Sequence, residues 1–378
     1  MLTTAEKLRY QKHILLPHIG IAGQERLRNA NVLVVGAGGL GCPVLLYLAA
    51  AGVGVIGIAD GDTVDITNLQ RQVLYQSEDV DKLKVEVAMQ RLQALNPLID
   101  YTLHPFALTH ENAERVIEEY DLVVDCTDNF TVRYVINDVC VRQGKPFVYG
   151  AIHQFEGQVS VFNYTDTEGK QGPTYRCLFP DKPSDFEIPN CAEVGVLGIL
   201  PGTIGMFQAN EVVKIITGIG RVLSGELLVM DLLENSQHKI KIRRRDDALE
   251  LAIHNWQQAT GSRQEKSEQA ETKKELSVQE LKQSLDNHED IYLLDVRNPD
   301  EFEICTLPNA TLIPMYNIPE YVSKIPTNKK VVVYCHHGSR SLSVVRYLEQ
   351  AHNFHNLLNL TGGIHAWATE IDEAMATY

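Results

Sequence analysis

Val32 to Gly41, VLVVGAGGLG, is the stretch that decides the fold. Its four apolar, strand-forming residues run directly into a glycine-rich turn, and the helix-forming letters LLYLAAAG follow Cys42-Pro43. This order of strand, tight turn and helix lets the backbone approach a phosphate group, toward which the first helical amides point. The letters fit both the dinucleotide pattern G-x-G-x-x-G and the rarer G-x-G-G-x-G, so the class of nucleotide stays open at this point. The turn therefore predicts a nucleotide site that is lined by four glycines: Gly36, Gly38, Gly39 and Gly41.

The length and the composition of the chain narrow the classes of function. A chain of 378 residues with 44% apolar residues suits two domains, each with its own core. The formal net charge of −15 argues against a general surface for nucleic acid or for acidic membranes. The seven cysteines are spread over the whole length and no signal-peptide pattern is present, which is typical of cytosolic thiols. We therefore expect a cytoplasmic protein with neither nucleic acid nor membrane as a partner.

One uncharged run, residues 32–59, is long enough to span a bilayer. Seven of its 28 residues are glycine, and it divides into a strand (Val32 to Val35), a turn, a helix (Pro43 to Ala51) and a second strand (Val55 to Ala59). Such a division is typical of a buried βαβ unit. We favour that interpretation over a membrane span.

Polar side chains follow the second predicted strand. Asp60 lies 24 residues after Gly36, near the spacing at which an acidic side chain meets ribose hydroxyls. A strand-terminal aspartate is also often only a helix cap, so the position carries this argument. Asn68 and Arg71 come next in one short polar stretch, and Lys84 follows on a helix that we predict over Asp81 to Leu95.

A third buried strand, Asp121 to Asp125, is followed by Cys126-Thr127-Asp128-Asn129. Open α/β sheets bind ligands at the carboxyl ends of their parallel strands. Asp128 and Asn129 are therefore candidate ligand-binding residues, and the Asp128 carboxylate is a candidate ligand of Mg²⁺ beside phosphate oxygens.

These motifs together resemble the E1-like adenylyltransferases of the MoeB and ThiF families, which activate ubiquitin-like sulfur carriers. The match extends from the amino terminus to about residue 245. The resemblance implies ATP and Mg²⁺ as cofactors, a homodimer, and a carrier protein that ends in Gly-Gly as the partner. It also implies the roles of the site residues: the glycine turn holds the phosphates, Asp60 the ribose, Asn68, Arg71 and Lys84 the triphosphate, and Asp128 the Mg²⁺.

Two departures from this family are visible. The family usually has an arginine in its amino-terminal R-Y-x-R element that reaches the nucleotide of the partner subunit, and Lys12 stands at that position, without the bidentate fork of arginine. Many members also hold zinc with two C-x-x-C pairs. Here Thr174 replaces a ligand of the first pair, and no cysteine occurs between Cys191 and Cys305. We therefore expect no structural zinc site with four thiolates in this domain.

Cys191 follows a proline-rich acidic segment, Pro180 to Pro189. A free cysteine is most often a small buried residue. The family places a reactive cysteine at this point, so the resemblance favours a functional thiol.

The chain changes composition after the first domain. Ser262 to Glu275, SRQEKSEQAETKKE, is almost wholly polar, which is typical of a linker or of a solvent-exposed helix. We predict an α/β protein with a Rossmann-like domain over residues 1–250, a polar linker over 251–275 and a smaller α/β domain over 276–378.

The second domain contains Cys335 at the end of a predicted strand, Lys330 to Tyr334, and before a helix, Leu342 to Gln350. Helical amides lower the pKa of a thiol in such a turn, and we expect Arg340 and the two neighbouring histidines to add positive charge. With the LLDVRNPDEFE and GGIHAW stretches, the domain resembles a rhodanese. Phosphate-monoester hydrolysis is the alternative, but its loop needs five residues between cysteine and arginine, and here there are four.

The two resemblances together suggest a reaction sequence. The first domain adenylates the carboxyl-terminal glycine of the carrier, and a persulfide on Cys335, loaded by a donor such as a cysteine desulfurase, delivers sulfur to the activated carbonyl. Cys191 then resolves the acyl disulfide. A nicotinamide-dependent oxidoreductase fused to a sulfurtransferase, and a non-catalytic carrier-binding scaffold, remain as alternatives. The end product (molybdopterin, thiamin, a thiolated tRNA or another compound) stays open.

Overall fold

A computed structural model describes residues 1–182, 195–261 and 275–378, with side chains described as far as residue 257 in the second range. These residues divide into two compact units, and residues 275–378 form the second. The predicted α/β class is confirmed in both units.

The first unit contains one eight-stranded sheet, in which the first five strands along the chain pair in parallel and the last three pair antiparallel. Its strands are β1 (Asn31–Val35), β2 (Val55–Ala59), β3 (Asp100–His104), β4 (Leu122–Asp125), β5 (Phe147–His153), β6 (Glu156–Phe162), β7 (Glu226–Asp231) and β8 (Ser236–Lys241). Its described helices are α1 (Thr4–Arg9), α2 (Gln11–Ile14), α3 (Gly20–Asn29), α4 (Gly41–Ala51), α5 (Lys84–Leu95), α6 (Ala113–Glu118), α7 (Phe130–Gln143), α8 (Ile199–Thr217) and α9 (Asp246–Gly261).

The strand order is β3-β2-β1-β4-β5-β6-β7-β8. β1 pairs in parallel with β2 on one side and with β4 on the other. From β1 the chain passes through β2 to β3 on one side, and it then crosses to β4 on the other side of β1. This reversal opens a crevice at the carboxyl ends of β1 and β4. Doubly wound sheets bind their ligands in such a crevice.

Helices cover both faces of β1, which explains its continuous apolar sequence. Side chains alternate across a strand, so Val32 and Val34 pack in one buried cluster while Leu33 and Val35 pack in the other. The first cluster contains side chains of α4, α5 and α8, and the second contains side chains of α6, α7 and α9. A strand that is buried on both faces loses the alternation of a surface strand.

Helix starts differ from the sequence prediction in α5 and α8. α5 begins at Lys84 instead of Asp81, because Asp81 has a φ of 70°. The sequence predicts a helix over Gln208 to Thr217, but α8 begins nine residues earlier, at Ile199. It lies so close to α4 that a Cβ at Gly205 would be 2.6 Å from the carbonyl oxygen of Leu40. A run of glycines there permits close helix packing instead of breaking the helix.

The first residues of the predicted linker form part of α9. α9 extends to Gly261, and three of its residues at four-residue intervals, Ala248, Ala252 and Trp256, are buried. Residues 251–257 therefore belong to a packed amphipathic helix of the first unit. Residues 262–274 lie outside the described part of the chain. The domain boundaries at 250 and 276 stay a prediction.

The second unit is built around a parallel sheet with the order β11-β10-β12-β13-β9. Its strands are β9 (Glu275–Leu276), β10 (Ile291–Asp295), β11 (Thr311–Leu312), β12 (Lys330–Tyr334) and β13 (Leu357–Leu360). Its helices are α10 (Val278–Asp286), α11 (Pro299–Ile304), α12 (Ile318–Tyr321), α13 (Ser339–His352) and α14 (Gly363–Glu370). β12 is the central strand, and buried side chains cover both of its faces.

None of the described helices has the length and apolar character that crossing a membrane requires. The uncharged run over residues 32–59 forms β1, the glycine turn, α4 and β2, as the sequence predicted.

Candidate active sites

The glycine turn after β1 leaves no room for a side chain at Gly36 or at Gly41. Gly36 has a φ of +93°, and a Cβ on it would lie 2.7 Å from the carbonyl oxygen of Cys126. A Cβ on Gly41 would lie only 2.0 Å from the carbonyl oxygen of Gly36. α4 then begins at Gly41, and none of the described side chains caps its first amides. The turn therefore offers a bare backbone and a helix amino terminus to an anion, which fits the phosphates of a nucleotide.

Replacing Gly36 by alanine is expected to destabilise the first unit by about 2–3 kcal/mol, because the φ is strained for alanine and the added carbon meets Cys126. ATP affinity, measured by calorimetry, is expected to fall at least about tenfold. Gly169→Ala is the matched control, since Gly169 has a similar φ of +81° and no atom within 4 Å of its Cβ position. Equal losses of ATP affinity in the two variants would contradict the role of the turn.

Asp60 holds the glycine turn in place. Its Oδ2 accepts a hydrogen bond from the amide of Ala37 at 2.7 Å, and its Oδ1 accepts one from the amide of Asp62 at 2.8 Å. Burial raises the pKa of the Asp60 carboxyl, while Lys84 and the two amides oppose this shift. Each carboxylate oxygen keeps a second lone pair, so the position at the end of β2 is compatible with the predicted ribose contact.

Lys84 is the first residue of α5, and its side chain is only 6% exposed. Its Nζ lies 3.0 Å from Oδ2 of Asp62, whose side chain is 74% exposed. A buried ammonium with a solvent-exposed partner can exchange that partner for another anion without losing its own position. The Lys84 ammonium is therefore suited to bind a phosphate oxygen in place of the Asp62 carboxylate.

The segment that contains Asn68 and Arg71 lies against the glycine turn. Cγ of Arg71 is 3.6 Å from the Cβ position of Gly39. Nη1 of Arg71 donates to the carbonyl of Thr67 at 3.1 Å, and Asn68 ends a single 3₁₀ turn. Gln72 is buried, and its Oε1 has no hydrogen-bond partner among the described residues. The structure thus places Arg71 beside the turn, as its predicted phosphate contact requires.

Asp128 and Asn129 are exposed at the carboxyl end of β4. Oδ1 of Asn129 accepts a hydrogen bond from the amide of Val132 and caps α7. Asp128 precedes this cap at the same edge of the sheet as the glycine turn. An exposed carboxylate at this edge is the type of oxygen ligand that Mg²⁺ prefers, so the residue fits the predicted metal.

A buried ion pair that the sequence analysis missed supports this edge. Nε of Arg133 lies 2.8 Å from Oδ2 of Asp125, and both side chains are almost fully buried. Nη2 of Arg133 donates to the carbonyl of Thr127 at 2.8 Å, and Oδ1 of Asp125 accepts from the amide of Thr127. The pair therefore fixes the backbone just before Asp128. A charged residue at the end of a buried strand was the signal for Asp125, but its partner comes from the next helix.

Two predicted residues have no described place in this site. Lys12 is exposed on α2, and its proposed contact is with a partner subunit. Cys191 lies outside the described residues. Their predicted roles stay predictions.

The segment around Thr174 does not fit a zinc site with four thiolates. Sγ of Cys177 accepts hydrogen bonds from the amides of Thr174 at 3.4 Å and of Arg245 at 3.3 Å. Arg245 itself forms an ion pair with Asp247. Among the described residues, one thiol therefore lies in this place, and it is held by backbone amides and not by further sulfur ligands.

Cys335 is fully buried at the end of β12 and faces the start of α13. Its Sγ accepts hydrogen bonds from the amide of Gly338 at 3.1 Å and from the hydroxyl of Ser341 at 3.5 Å. Gly338 has a φ of +99° and begins the helix. These donors stabilise an anionic sulfur at this position.

The charges around Cys335 differ from the sequence prediction. Both Nη atoms of Arg340 bind the carboxylate of Glu301, at 2.7 and 2.6 Å, so its charge is largely neutralised. Burial and then the neighbouring His337 and His365 lower the pKa of His336 to about 4. His336 is therefore neutral at pH 7, and the expectation that it adds positive charge is wrong.

A network of polar contacts joins the loop of Cys335 to α11. Arg297 is fully buried, pairs with Asp295 and donates to the hydroxyl of Tyr378 at 2.7 Å. The Tyr378 hydroxyl in turn donates to Glu301 at 3.0 Å, and its ring stacks on His336 with 4.2 Å between the ring centroids. The LLDVR stretch of the sequence thus supports the loop through Arg297.

Replacing Glu301 by glutamine is expected to destabilise the second unit by about 2 kcal/mol at pH 7, less than a fully buried pair would lose, because each partner is 14% exposed. Burial raises the pKa of Glu301, but hydrogen bonds from Arg340 and the Asn298 amide outweigh it and lower the pKa to about 2. The stabilisation is therefore present above about pH 4.5 and lost as the pH falls to 2.

Urea unfolding of the full chain, followed by hydrogen exchange of peptides within residues 275–378, measures this effect. The difference between the wild type and Glu301→Gln should shrink toward zero near pH 2. A difference that is constant from pH 7 to pH 2 would show that the carboxylate charge is not the source. Glu303→Gln, on the same helix and without an ion pair described, is the control.

Two family models match the chain. The ThiF family matches residues 10–251, and the rhodanese-like domain matches residues 277–370.

Two of the relatives have names that join an adenylyltransferase and a sulfurtransferase. The probable adenylyltransferase/sulfurtransferase MoeZ of Mycobacterium tuberculosis is 42% identical over 380 residues, which cover 100% of this chain and 96% of that protein. The adenylyltransferase and sulfurtransferase MOCS3 of Culex quinquefasciatus is 39% identical and covers 100% of this chain and 90% of its own length. The sulfur carrier protein adenylyltransferase of Thermus thermophilus is 53% identical over 64% of this chain and 89% of its own length.

Solved structures share the fold of the first unit. E. coli MccB with ATP is similar at a TM-score of 0.52 and 24% identity over 60% of this chain and 68% of that chain. PaaA is similar at a TM-score of 0.54 and 23% identity over 64% of this chain and 75% of that chain. At these identities the likeness concerns the fold alone.

Proposed function

The chain belongs to the ThiF family and carries a rhodanese-like domain after it, and from this premise we propose that it is an adenylyltransferase and sulfurtransferase acting on a ubiquitin-like sulfur carrier. The first unit would adenylate the carboxyl-terminal glycine of the carrier with ATP. The second unit would supply sulfur from a persulfide on Cys335. The relatives' names, which join the same two activities, support this assignment.

One observation carries the adenylation half of the proposal. The glycine turn, Asp60, Arg71 and Lys84 come from separate segments and converge at the carboxyl edge of the sheet. The carrier's glycine carboxylate is already ionised at neutral pH, so its attack on the α-phosphate needs no general base. The reaction requires in-line positioning and neutralisation of phosphate charge, which the backbone amides and these two cations supply.

Asp128 would hold Mg²⁺ at the same edge. When bound with ATP, the metal ion neutralises charge on the phosphate oxygens and so favours attack at the α-phosphorus. Asp125 and Arg133 would act as positioning residues, because they fix the backbone that precedes Asp128.

Sulfur transfer would proceed in two nucleophilic steps. The terminal sulfur of the Cys335 persulfide attacks the acyl-adenylate, AMP leaves, and an acyl disulfide joins the carrier to Cys335. A thiolate, for which we propose Cys191, attacks the Sγ of Cys335 and releases the carrier thiocarboxylate. The resulting Cys191–Cys335 disulfide needs an external dithiol reductant. A persulfide donor such as a cysteine desulfurase would reload Cys335.

We further propose that the protein acts as a homodimer in the cytoplasm, where thiols stay reduced. Lys12 would contact the nucleotide of the partner subunit, as the family resemblance implies. Analytical ultracentrifugation measures the oligomeric state directly, and a monomer at working concentration would overturn this part.

The proposal is tested by incubating the purified chain with ATP, Mg²⁺, a persulfide donor and a carrier that ends in Gly-Gly. Mass spectrometry of the intact carrier should show one oxygen replaced by sulfur, and the change should require ATP. A carrier that lacks its last glycine is the control. A carrier mass that stays unchanged while the chain binds ATP would contradict the proposal.

A further inference from the structure

Three histidines meet beside the loop that carries Cys335. His336 and His337 follow Cys335 directly, and His365 lies in the first turn of α14. Each of the three offers one ring nitrogen as a metal ligand. In the described part of the chain, these three nitrogens all lie within 4.8 Å of one another. Cys335 is not a member of this group, although it precedes the first two members.

The backbone brings the three residues together. The amide of Ile364 donates to the carbonyl of Cys335 at 2.9 Å, and the amide of His365 donates to the carbonyl of His336 at 3.0 Å. Gly363 permits this approach, because a Cβ at that position would lie 2.3 Å from the carbonyl oxygen of His336. The two segments are thus held in register by main-chain contacts, independently of any ligand.

The three imidazole rings lie close to one another. The ring centroids of His336 and His337 are 4.0 Å apart, those of His337 and His365 are 4.9 Å apart, and those of His336 and His365 are 5.6 Å apart. Tetrahedral zinc binds histidine nitrogens at about 2.0–2.1 Å, which places two such nitrogens about 3.4 Å apart. The ligand nitrogens of the three histidines lie within 4.8 Å of one another, so rotation of the side chains would have to draw them closer around an ion.

One ring nitrogen of this group is buried without a described partner. It is Nδ1 of His365, which accepts or donates no hydrogen bond among the described residues. A buried polar atom without a partner is unfavourable and calls for an explanation.

We propose that His336, His337 and His365 form a binding site for a late first-row divalent transition metal ion such as Zn²⁺. Imidazole is a preferred ligand of zinc, nickel and copper. Three protein ligands leave a fourth position open for water or another small ligand. The site is separate from the segment around Thr174 and Cys177, and it does not depend on the proposed reaction.

The test uses Co²⁺ as a spectroscopic probe on the full chain. One Co²⁺ per chain should bind with visible d–d bands and without a sulfur-to-cobalt charge-transfer band, and Zn²⁺ should displace it. His337→Gln and His365→Gln should each weaken Co²⁺ binding at least about 100-fold, since removing even an outer partner of a ligand loses 10–100-fold. His337 is exposed, so its replacement is compatible with folding.

His355→Gln is the matched control, because His355 is an exposed histidine of the same unit outside the cluster. Its Co²⁺ affinity should equal that of the wild type. Co²⁺ should raise the midpoint temperature of thermal unfolding of the wild type and of His355→Gln but not that of His337→Gln. Wild-type affinity in both His337→Gln and His365→Gln would overturn the site. A charge-transfer band that disappears in Cys335→Ser would also overturn it, by assigning the ion to the thiol.

Discussion

Cys335→Ala is expected to retain carrier-dependent adenylation and to lower thiocarboxylate formation to less than about one thousandth of the wild-type rate. The variant lacks the sulfur that would carry the persulfide, so no other group can take over the transfer. The nucleotide site is built from residues of the first unit, and Cys335 belongs to the second unit. The two half-reactions should therefore separate in this single variant.

Two measurements on the same preparation check this expectation. ATP:pyrophosphate exchange reports adenylation, and intact mass of the carrier reports thiocarboxylate. Cys305→Ala is the matched control, since Cys305 is a partly exposed thiol of the same unit that lies 3.9 Å from Arg297. Undiminished thiocarboxylate formation by Cys335→Ala would remove Cys335 from the mechanism. Loss of both activities with a folded first unit would show that the units are catalytically inseparable.

Lys84→Ala is expected to lower both exchange and thiocarboxylate formation at least about 100-fold. Its ammonium is buried beside the glycine turn, where a cation stabilises developing phosphate charge far more than it would in water. Sulfur transfer fails as well, because the persulfide would find no activated carbonyl. Asp128→Ala should give the same pattern through loss of the metal ligand.

The control for Lys84→Ala is Lys82→Ala. Lys82 lies nearby in the sequence and forms an ion pair with Asp79, but its side chain is 55% exposed. Calorimetry separates loss of ATP binding from loss of chemistry. If Asp128→Ala keeps normal exchange over a titration of Mg²⁺, the assignment of Asp128 to the metal is wrong. If Lys84→Ala keeps normal exchange, the cation at this edge has no catalytic role.

The sequence predicted the parts of both units that depend on local pattern. Val32 to Val35 was recognisable as a strand because it runs into a turn of glycines, and the structure places β1 over Asn31–Val35. Ser277 caps α10, where its side chain accepts from the amide of Glu280, and the two residues belong to one Ser-x-x-Glu pattern. Such signals lie within a few residues of one another, so that one sequence is sufficient to detect them.

Contacts between distant segments were not predictable in this way. Arg133 reaches Asp125 across the end of β4, and Arg340 reaches Glu301 over 39 positions. Arg340 was predicted to add free positive charge near Cys335, whereas its partner on α11 neutralises it. The predicted helix over Gln208 to Thr217 was too short, because the sequence does not show the close packing on α4 that Gly205 permits. These errors share one cause, since the tertiary neighbour that decides the outcome lies far away in sequence.

The most direct test of the central claim is ATP:pyrophosphate exchange by the purified wild-type chain, with small carrier proteins that end in Gly-Gly added one at a time. We expect exchange that depends on one such carrier and is lost when its last glycine is deleted. No exchange with any of these carriers, in a folded preparation that binds ATP, would contradict the claim that this chain is an adenylyltransferase.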